Sequence, residues 1–282
     1  MMWIGIAIML VSEALTFARI EPFWSWNTPI AWTGFILFAD AFVWRARGDS
    51  WLRSAPREFA ALALASIPLW LIFELYNRFI QNWFYVGLPD NPALRTLGYA
   101  WSFATIWPAI FEAAELVAVI RGAGRARGGG RAGRPLQPSK PIPPVQASSI
   151  AAGFAMLLCP FVVSPSIAQY LAAPVWLGFI LLLDPINARL GAESLIGDWR
   201  AGRHDRLINL LLSGFLCGLL WEFWNYWCRA KWHYTVPIMA RVKLFEMPLP
   251  GYLGFPAFAV ECFTMYVFAR RMLTTHGRRI AL

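Results

Sequence analysis

The stretch WTGFILFAD at residues 32–40 returns as WLGFILLLD at residues 176–184, at an offset of 144 positions. Four further motifs recur in the same order at nearly the same offset: GDSW at 48–51 and GDW at 197–199, FELYN at 73–77 and WEFWN at 221–225, WFY at 83–85 and WHY at 232–234, WPA at 107–109 and FPA at 255–257. Five matches in one order indicate an internal repeat. The sequence therefore predicts two similar halves, residues 1–120 and 148–282, separated by residues 121–147.

The bulk composition indicates a membrane protein. The 282 residues are 58% hydrophobic and 15% charged, whereas soluble domains carry about 25% charged residues. Because a bilayer core of about 30 Å needs about 20 apolar helical residues, the sequence predicts eight membrane spans. They lie at residues 2–19, 29–45, 59–77, 97–120, 149–169, 173–190, 206–226 and 251–271. The predicted fold class is therefore all-α, a polytopic transmembrane helix bundle.

The distribution of basic residues predicts the orientation of the chain. Four spans in each half would leave both copies facing the same way, as two parallel four-helix repeats around a shared cavity. Of the 25 Lys and Arg residues, 18 lie in the C-terminal tail and in the loops after the second, fourth and sixth spans. The positive-inside rule then predicts a multi-pass protein of the inner (plasma) membrane with both termini in the cytoplasm.

The segment between the halves differs from its surroundings. Residues 121–147 are rich in Gly, Arg and Pro and nearly free of large apolar side chains, so they cannot bury enough surface to offset their ordering entropy. We predict a basic, flexible cytoplasmic linker that can lie against anionic lipid headgroups. Elsewhere, Pro29, Pro56 and Pro174 fall near predicted helix starts, where a missing N–H costs little.

Half of the sixteen acidic residues lie inside the predicted spans: Glu13, Asp40, Glu74, Glu112, Glu115, Asp184, Glu222 and Glu261. An ionised side chain at mid-bilayer costs about 2.5–3.5 kcal/mol, so these acids must face the bundle interior, bond to partners or be protonated. Glu74 and Asn77 are three residues apart, which puts both on one helix face. Glu222 and Asn225 repeat that spacing in the second half.

Two interpretations of the buried acids remain open. They can be hydrogen-bonded links between helices, worth around 1 kcal/mol each, and for Asp40 and Asp184 bonding to a nearby Arg or helix terminus is the favoured interpretation. They can also perform acid–base catalysis, since a carboxyl group in an apolar cavity can stay protonated. The candidate catalytic residues are Glu74, Glu112, Glu222 and Glu261.

Aromatic and amide side chains surround two of these acids in the sequence. The candidate substrate-binding residues are Asn77, Trp83, Tyr85, Trp221, Trp224, Asn225, Trp232 and Tyr234. Their ring faces could stabilise a cation, or Trp83 and Trp232 could instead belong to an interfacial aromatic belt. His233 has no twin in the first half, and one histidine without a second ligand does not predict a metal site. We predict no cofactor, no metal and no nucleic-acid partner; the expected partners are membrane lipids and a hydrophobic small molecule.

The order of these motifs resembles that of small integral-membrane lycopene cyclases, which are duplicated helical units. In that family each unit shows an acidic or amide residue, a Trp-x-Tyr/Phe element, and a Gly/Pro-led helix carrying glutamates. The matching residues here are Asn77, WFY at 83–85, and Pro108 to Glu112, then Asn225, WHY at 232–234, and Gly254 through Pro256 to Glu261. The family's Pro-x-Glu-Glu is absent, because four or five residues separate each proline from its glutamate.

The resemblance implies a metal-free enzyme in which a carboxylic acid protonates an alkene, aromatic faces stabilise the carbocation, and a second carboxylate removes the final proton. We therefore expect a membrane-embedded enzyme acting on an isoprenoid- or carotenoid-like lipid, a cyclase or isomerase. Two alternatives stay open: a small-solute or proton-coupled transporter or channel that uses the same acids, and a structural or pigment-binding subunit of a membrane complex.

Overall fold

The computed structural model describes residues 1–122, 143–273, 277, 278 and 280. These residues are mainly helical. The helices are α1 (Met2–Phe17), α2 (Phe23–Arg47), α3 (Trp51–Ser54), α4 (Pro56–Ile80), α5 (Pro92–Ile120), α6 (Pro144–Val162), α7 (Pro165–Ala168), α8 (Ala172–Arg189), α9 (Leu195–Arg200), α10 (Asp205–Trp227) and α11 (Gly254–Leu273), with a 3₁₀ turn at Leu249–Leu253. The strands are β1 (Trp83–Val86), β2 (Lys231–Tyr234), β3 (Lys243–Leu244) and β4 (Met247–Pro248), paired as β1 with β2 and β3 with β4.

Several of these helices have the length and composition of membrane spans. Within the described ranges, five segments qualify: Pro56–Ile80, Pro92–Ile120, Pro144–Val162, Asp205–Trp227 and Leu249–Leu273. The apolar helix α1 is shorter, with 16 residues. A helical protein with several such apolar segments suits a bilayer, because a helix satisfies its own backbone hydrogen bonds.

Each of the eight predicted apolar segments coincides with a helix, but three boundaries differ. Pro29 lies inside α2, which is kinked at Trp26 (φ −120°, ψ 21°), because a proline ring clashes with the carbonyl four residues earlier. The predicted segment 149–169 is broken after Val162, since Pro165 holds Ser164 in an extended conformation. Helix α6 begins at Pro144, inside the predicted linker 121–147; residues 123–142 of that linker lie outside the described part.

Two helix pairs cross at glycines with their backbones in close contact. Helix α1 packs on α2 and helix α6 packs on α8. A Cβ atom placed on Gly5 would lie 2.4 Å from the carbonyl oxygen of Gly34, and one placed on Gly153 would lie 2.7 Å from that of Gly178. Gly34 and Gly178 are the glycines of the two motifs at residues 32–40 and 176–184. The motif glycines therefore serve close helix packing, as small residues do in membrane proteins.

The aspartates that end the same two motifs accept hydrogen bonds from the first N–H groups of two short helices. Asp40 Oδ1 accepts a hydrogen bond from the Leu52 N–H at 2.8 Å, at the start of α3. Asp184 accepts from the N–H groups of Leu195 and Ile196 at 2.7 and 2.9 Å, at the start of α9. These bonds satisfy backbone donors that a helix start leaves unpaired. The predicted bonding of both aspartates to a helix terminus is confirmed.

Contacts at opposite ends of the molecule join the part before the linker to the part after it. At one end, β1 and β2 pair antiparallel, with Trp83 opposite Tyr234 and Tyr85 opposite Trp232. At the other end, Arg270 donates to Glu58 at 3.0 Å and to Glu193 at 2.7 Å. Helix α5 lies between them in the core, packed on α2, α4 and α10.

Candidate functional site

A partly open cavity of about 140 Å³ lies beneath the β1–β2 pair, with walls from α2, α4, α5, α8, α10 and α11. Its surface is dominated by aromatic rings. Its tryptophans are Trp26, Trp32, Trp70, Trp83, Trp176, Trp221 and Trp232, and its other aromatic residues are Phe73, Tyr85, Tyr99, Phe103, Tyr234, Phe255 and Phe258. Rings from both halves therefore enclose one apolar space.

The cavity tryptophans form a continuous row from one half to the other. Ring centroids are 6.1 Å apart for Trp83 and Trp70, 6.0 Å for Trp70 and Trp221, and 6.0 Å for Trp221 and Trp232. Phe258 meets Trp70 and Trp221 edge-on at 5.9 and 6.3 Å. A cation within about 6 Å of such ring faces is attracted by their quadrupoles, most strongly when water is excluded.

The carboxyl group of Glu74 lies behind this wall and receives three hydrogen bonds on one oxygen. Trp70 Nε1 donates to Glu74 Oε1 at 2.9 Å, and Trp83 Nε1 donates at 3.2 Å. The Tyr85 hydroxyl donates to the same oxygen at 2.6 Å. Three donors, two from tryptophans and one from a tyrosine, thus fix the position of this oxygen.

Glu222 occupies the corresponding place in the second half but is held by fewer donors. It is fully buried, and the Tyr234 hydroxyl donates to its Oε1 at 2.8 Å. Trp232 Nε1 donates to that hydroxyl at 2.8 Å. Among the described residues, Oε2 has no hydrogen-bond partner. The two carboxyl groups thus have similar surroundings but different hydrogen bonding.

The two tyrosines between these carboxyls and the cavity remain protonated at neutral pH. Burial, followed by the Glu74 carboxyl, raises the pKa of the Tyr85 phenol well above its ordinary value. Burial, followed by Glu222, raises the pKa of Tyr234 in the same way. Both hydroxyls therefore donate hydrogen bonds to their glutamates over the physiological pH range.

The amide groups of Asn77 and Asn225 hold the strands that carry these tyrosines. Asn77 Nδ2 donates to the Trp83 carbonyl at 2.8 Å, and Asn77 Oδ1 accepts from the Trp83 N–H at 3.2 Å. Asn225 makes the same pair of bonds with Trp232, at 2.9 and 3.0 Å. Neither asparagine belongs to the cavity wall. Each one fixes β1 or β2 against the end of the preceding helix.

Three other predicted site residues lie away from the cavity. Glu112 is buried beside Asp40 and Glu115, near the end of the protein that holds the Arg47–Glu115 ion pair. Glu261 is fully buried and does not belong to the cavity wall. Neither of its carboxyl oxygens has a hydrogen-bond partner in the described ranges. Trp224 packs against Trp32 from behind the wall, with ring centroids 4.8 Å apart.

Sequence reasoning did not assign several wall residues to the site. Trp32 and Trp176 stand first in the two repeated motifs, and their recurrence is the sequence signal that could have placed them in the site. Trp26 enters the wall through the kink in α2, which the sequence pattern did not reveal. Tyr99 and Arg95 lie at the start of α5 and belong to none of the motifs matched between the halves. No pattern in the sequence singles them out.

A charged cluster sits on the loop side of β2. Lys231 Nζ and Glu246 Oε1 are 2.8 Å apart, and His233 Nδ1 lies 2.8 Å from Glu246 Oε2. Partial burial acts to raise the pKa of Glu246, but hydrogen bonds from Lys231 and His233 outweigh it, and the net pKa is lowered. The cluster ties the β3–β4 loop to β2 and so supports the strand that carries Tyr234.

The stabilisation from Glu246 is expected to disappear at low pH. A carboxyl whose pKa is lowered by folding contributes its full stabilisation above its unfolded pKa of about 4.3 and loses it as the pH falls through the lower folded value. The melting temperature of Glu246→Gln should therefore lie below that of the native protein at pH 6, and the gap should close towards pH 3. A gap of constant size would contradict this account. Asp205→Asn, at an exposed carboxyl, should show a much smaller gap.

In comparisons with known proteins, the chain matches no protein-family model, no curated protein and no solved structure. Across residues 1–122 and 143–273, with 277, 278 and 280, no three His, Cys, Asp or Glu side chains are grouped to hold a metal ion.

Proposed function

We propose that the protein is a membrane-embedded enzyme that acts on an isoprenoid-like lipid by carboxyl acid–base chemistry. The observation that carries the proposal is the aromatic cavity between the half-buried Glu74 and the fully buried Glu222, each of which accepts a hydrogen bond from a tyrosine of the cavity wall. An apolar chain fits the walls, and a positive charge developing on it would lie against the row of tryptophan faces. The carboxyl groups stand at opposite sides of that row, one from each half.

The hydrogen bonding suggests which glutamate is the acid and which is the base. Glu222 is fully buried, and its Oε2 has no hydrogen-bond partner among the described residues, so we assign it the transferable proton, held on Oε2. Glu74 has three donors on Oε1, which suits a carboxylate that accepts a proton. Two carboxyls with different surroundings can in this way divide the acid and base roles at one pH.

The proposed step conserves atoms. The Glu222 proton is added to one carbon of an alkene, the π bond breaks, and the neighbouring carbon becomes a cation. Attack by a second double bond, or no attack, then gives a cyclised or linear cation. Loss of a proton to the Glu74 carboxylate restores a double bond. Once the proton returns from Glu74 to Glu222, the product has the same mass as the substrate, and no oxidant or reductant is consumed.

We also propose that the chain crosses the plasma membrane eight times as two parallel repeats, with both termini in the cytoplasm. Paired glycine crossings and paired aspartate caps, one of each in either half, support the repeat. The basic residues support the orientation. In that orientation the cavity, the β1–β2 pair and Arg95 face the outer side, and the Arg270 ion pairs face the cytoplasm.

A proton-coupled transporter is the second candidate, and the fully buried Glu112 and Glu261 are what favours it. Buried acids in membrane proteins are common members of proton relays. Such a protein would move a proton or solute past both acids and would leave every lipid unchanged. The enzyme proposal assigns no step to Glu112 or Glu261.

Lipid analysis of cells with and without the protein tests the proposal directly. We expect one isoprenoid lipid to decrease and an isomer of identical mass and different retention to appear, measured by liquid chromatography with mass spectrometry. Cells that carry the empty vector are the control. If the two lipid profiles are the same for every mass-matched pair, the enzyme proposal fails and the transporter candidate takes its place.

A further inference from the structure

The cavity wall has a polar end and an apolar end. Along α5 the wall runs from Arg95 through Tyr99 and Phe103 to Ile106. The eleven residue steps from Arg95 to Ile106 rise about 16.5 Å along an α-helix, at about 1.5 Å per residue. A guanidinium at one end of such a wall and an aliphatic side chain at the other match the outline of an amphipathic molecule.

Arg95 is the one ionisable cation on this wall, as far as the described residues define it. Its Nε donates to the Pro89 carbonyl at 3.1 Å, and its Nη2 donates to the Asp90 carbonyl at 3.3 Å. These two bonds fix the direction of the side chain without neutralising it. In the described part of the chain it forms no ion pair with a carboxylate. A guanidinium has five N–H donors, so three remain for a ligand.

A planar guanidinium with free donors is suited to bind a phosphate or carboxylate in two-point contact. The wall beside Arg95 turns aromatic within one helical turn, at Tyr99. An anion without an apolar chain would leave that surface unused, and a hydrocarbon without a polar end would leave the guanidinium unpaired.

We propose that the natural ligand is an isoprenoid lipid with an oxyanion headgroup, which Arg95 binds at the mouth of the cavity while the chain fills the aromatic interior. This inference rests on the proposed function and specifies its substrate class. The headgroup would stay at the outer membrane surface, and only the chain would reach Tyr85 and Tyr234, the wall residues in front of Glu74 and Glu222. Arg95 therefore sets the depth at which the chain's double bonds lie.

Binding of farnesyl phosphate, farnesol and inorganic phosphate to the purified full-length protein tests this, followed by tryptophan fluorescence. We expect the native protein to bind farnesyl phosphate about tenfold or more tightly than farnesol, a difference of about 1.4 kcal/mol. Arg95→Gln should remove that preference. Arg241→Gln makes the same charge change at an exposed position outside the cavity wall and should preserve it.

Two more variants separate recognition from a structural effect. Arg95→Lys loses the two-point hold on the Pro89 and Asp90 carbonyls but keeps the charge, so it should retain part of the preference. Gly98 lies on the wall with open space where a Cβ would be, so Gly98→Leu should weaken binding of both lipids. If Arg95→Gln weakens the binding of farnesol as much as the binding of farnesyl phosphate, the arginine acts through the fold and the inference is wrong.

The remaining outcomes are equally decisive. An Arg95→Gln protein that still prefers farnesyl phosphate overturns the inference, and so does inorganic phosphate that displaces farnesyl phosphate at equal concentration, because that result indicates a free-anion site. Binding with the expected preference but without conversion of any lipid contradicts the proposed function alone. Conversion of an uncharged lipid that proceeds unchanged in Arg95→Gln contradicts this inference alone.

Discussion

Replacement of Glu222 by glutamine should lower the rate of lipid conversion by a factor of about 100 or more, while the protein stays folded. General acid–base groups typically contribute about 10²- to 10⁴-fold, and glutamine can accept the Tyr234 hydrogen bond but cannot supply an acidic proton. The measurement is the rate of appearance of the mass-matched product in membranes that contain equal amounts of folded protein. Glu74→Gln should cause a loss of similar order, because it removes the proposed base.

A matched control separates catalysis from the general effect of losing a buried acid. Glu13 lies in α1, outside the cavity wall, and its Oε2 accepts a hydrogen bond from Asn27 Nδ2 at 3.1 Å. Glu13→Gln makes the same chemical change and should leave the rate within a few-fold of native. Folded Glu222→Gln protein that converts lipid at the native rate would remove Glu222 from the mechanism.

Tyr234→Phe tests whether the hydrogen bond from Tyr234 positions the Glu222 carboxyl. The substitution keeps the ring in the wall but removes the hydroxyl that donates to Glu222 Oε1 and accepts from the Trp232 N–H. A smaller loss than that of Glu222→Gln would fit a tyrosine that positions the carboxyl. An equal loss would indicate that the tyrosine hydroxyl itself carries the proton to the cavity.

Much of the fold follows from local features of the sequence. Apolar length located the helices, and the recurring motif located Gly34 with Gly178 and Asp40 with Asp184, which have the same structural roles in both halves. The features that were missed depend on tertiary contact. The pairing of β1 with β2 joins residues about 150 positions apart, and nothing within either four-residue segment indicates that its partner is the other.

The site could be predicted only in part, because its walls also depend on tertiary contacts. The sequence itself puts Glu74 and Glu222 near the aromatic WFY and WHY motifs, since each motif follows its helix within a few residues. Spacing could not say which face of a fully apolar helix meets the cavity. Trp221 and Trp224 are three residues apart on α10, yet one lines the wall and the other packs behind it on Trp32. Glu112 and Glu261 also lie outside the wall, because spacing did not specify which face of their helices meets the cavity.

The second large effect is expected at the glycine crossings. Gly153→Ala should destabilise the protein, because its Cβ would lie 2.5 Å from the Leu182 backbone nitrogen and 2.7 Å from the Gly178 carbonyl oxygen. Both neighbours are backbone atoms of α8, so relief requires the helices to separate. Overpacking of this kind costs about 1–3 kcal/mol, and the melting temperature in detergent should fall by about 2–10 °C. Gly5→Ala should behave alike, since its Cβ would meet the Gly34 carbonyl oxygen at 2.4 Å.

The same substitution at Gly98 is the matched control, and its effect should have the opposite sign. Gly98 is also inside a helix, but nothing lies within 4 Å of its added Cβ. Alanine there reduces the conformational entropy of the unfolded chain and should stabilise the protein by about 0.5–1 kcal/mol. A fall in melting temperature at Gly98 equal to that at Gly153 would show that the glycines matter for some reason other than close packing. A lower melting temperature for Gly5→Ala and Gly153→Ala, with a higher one for Gly98→Ala, would indicate that α1–α2 and α6–α8 both depend on close packing at a glycine. Two halves related as a repeat should share that feature.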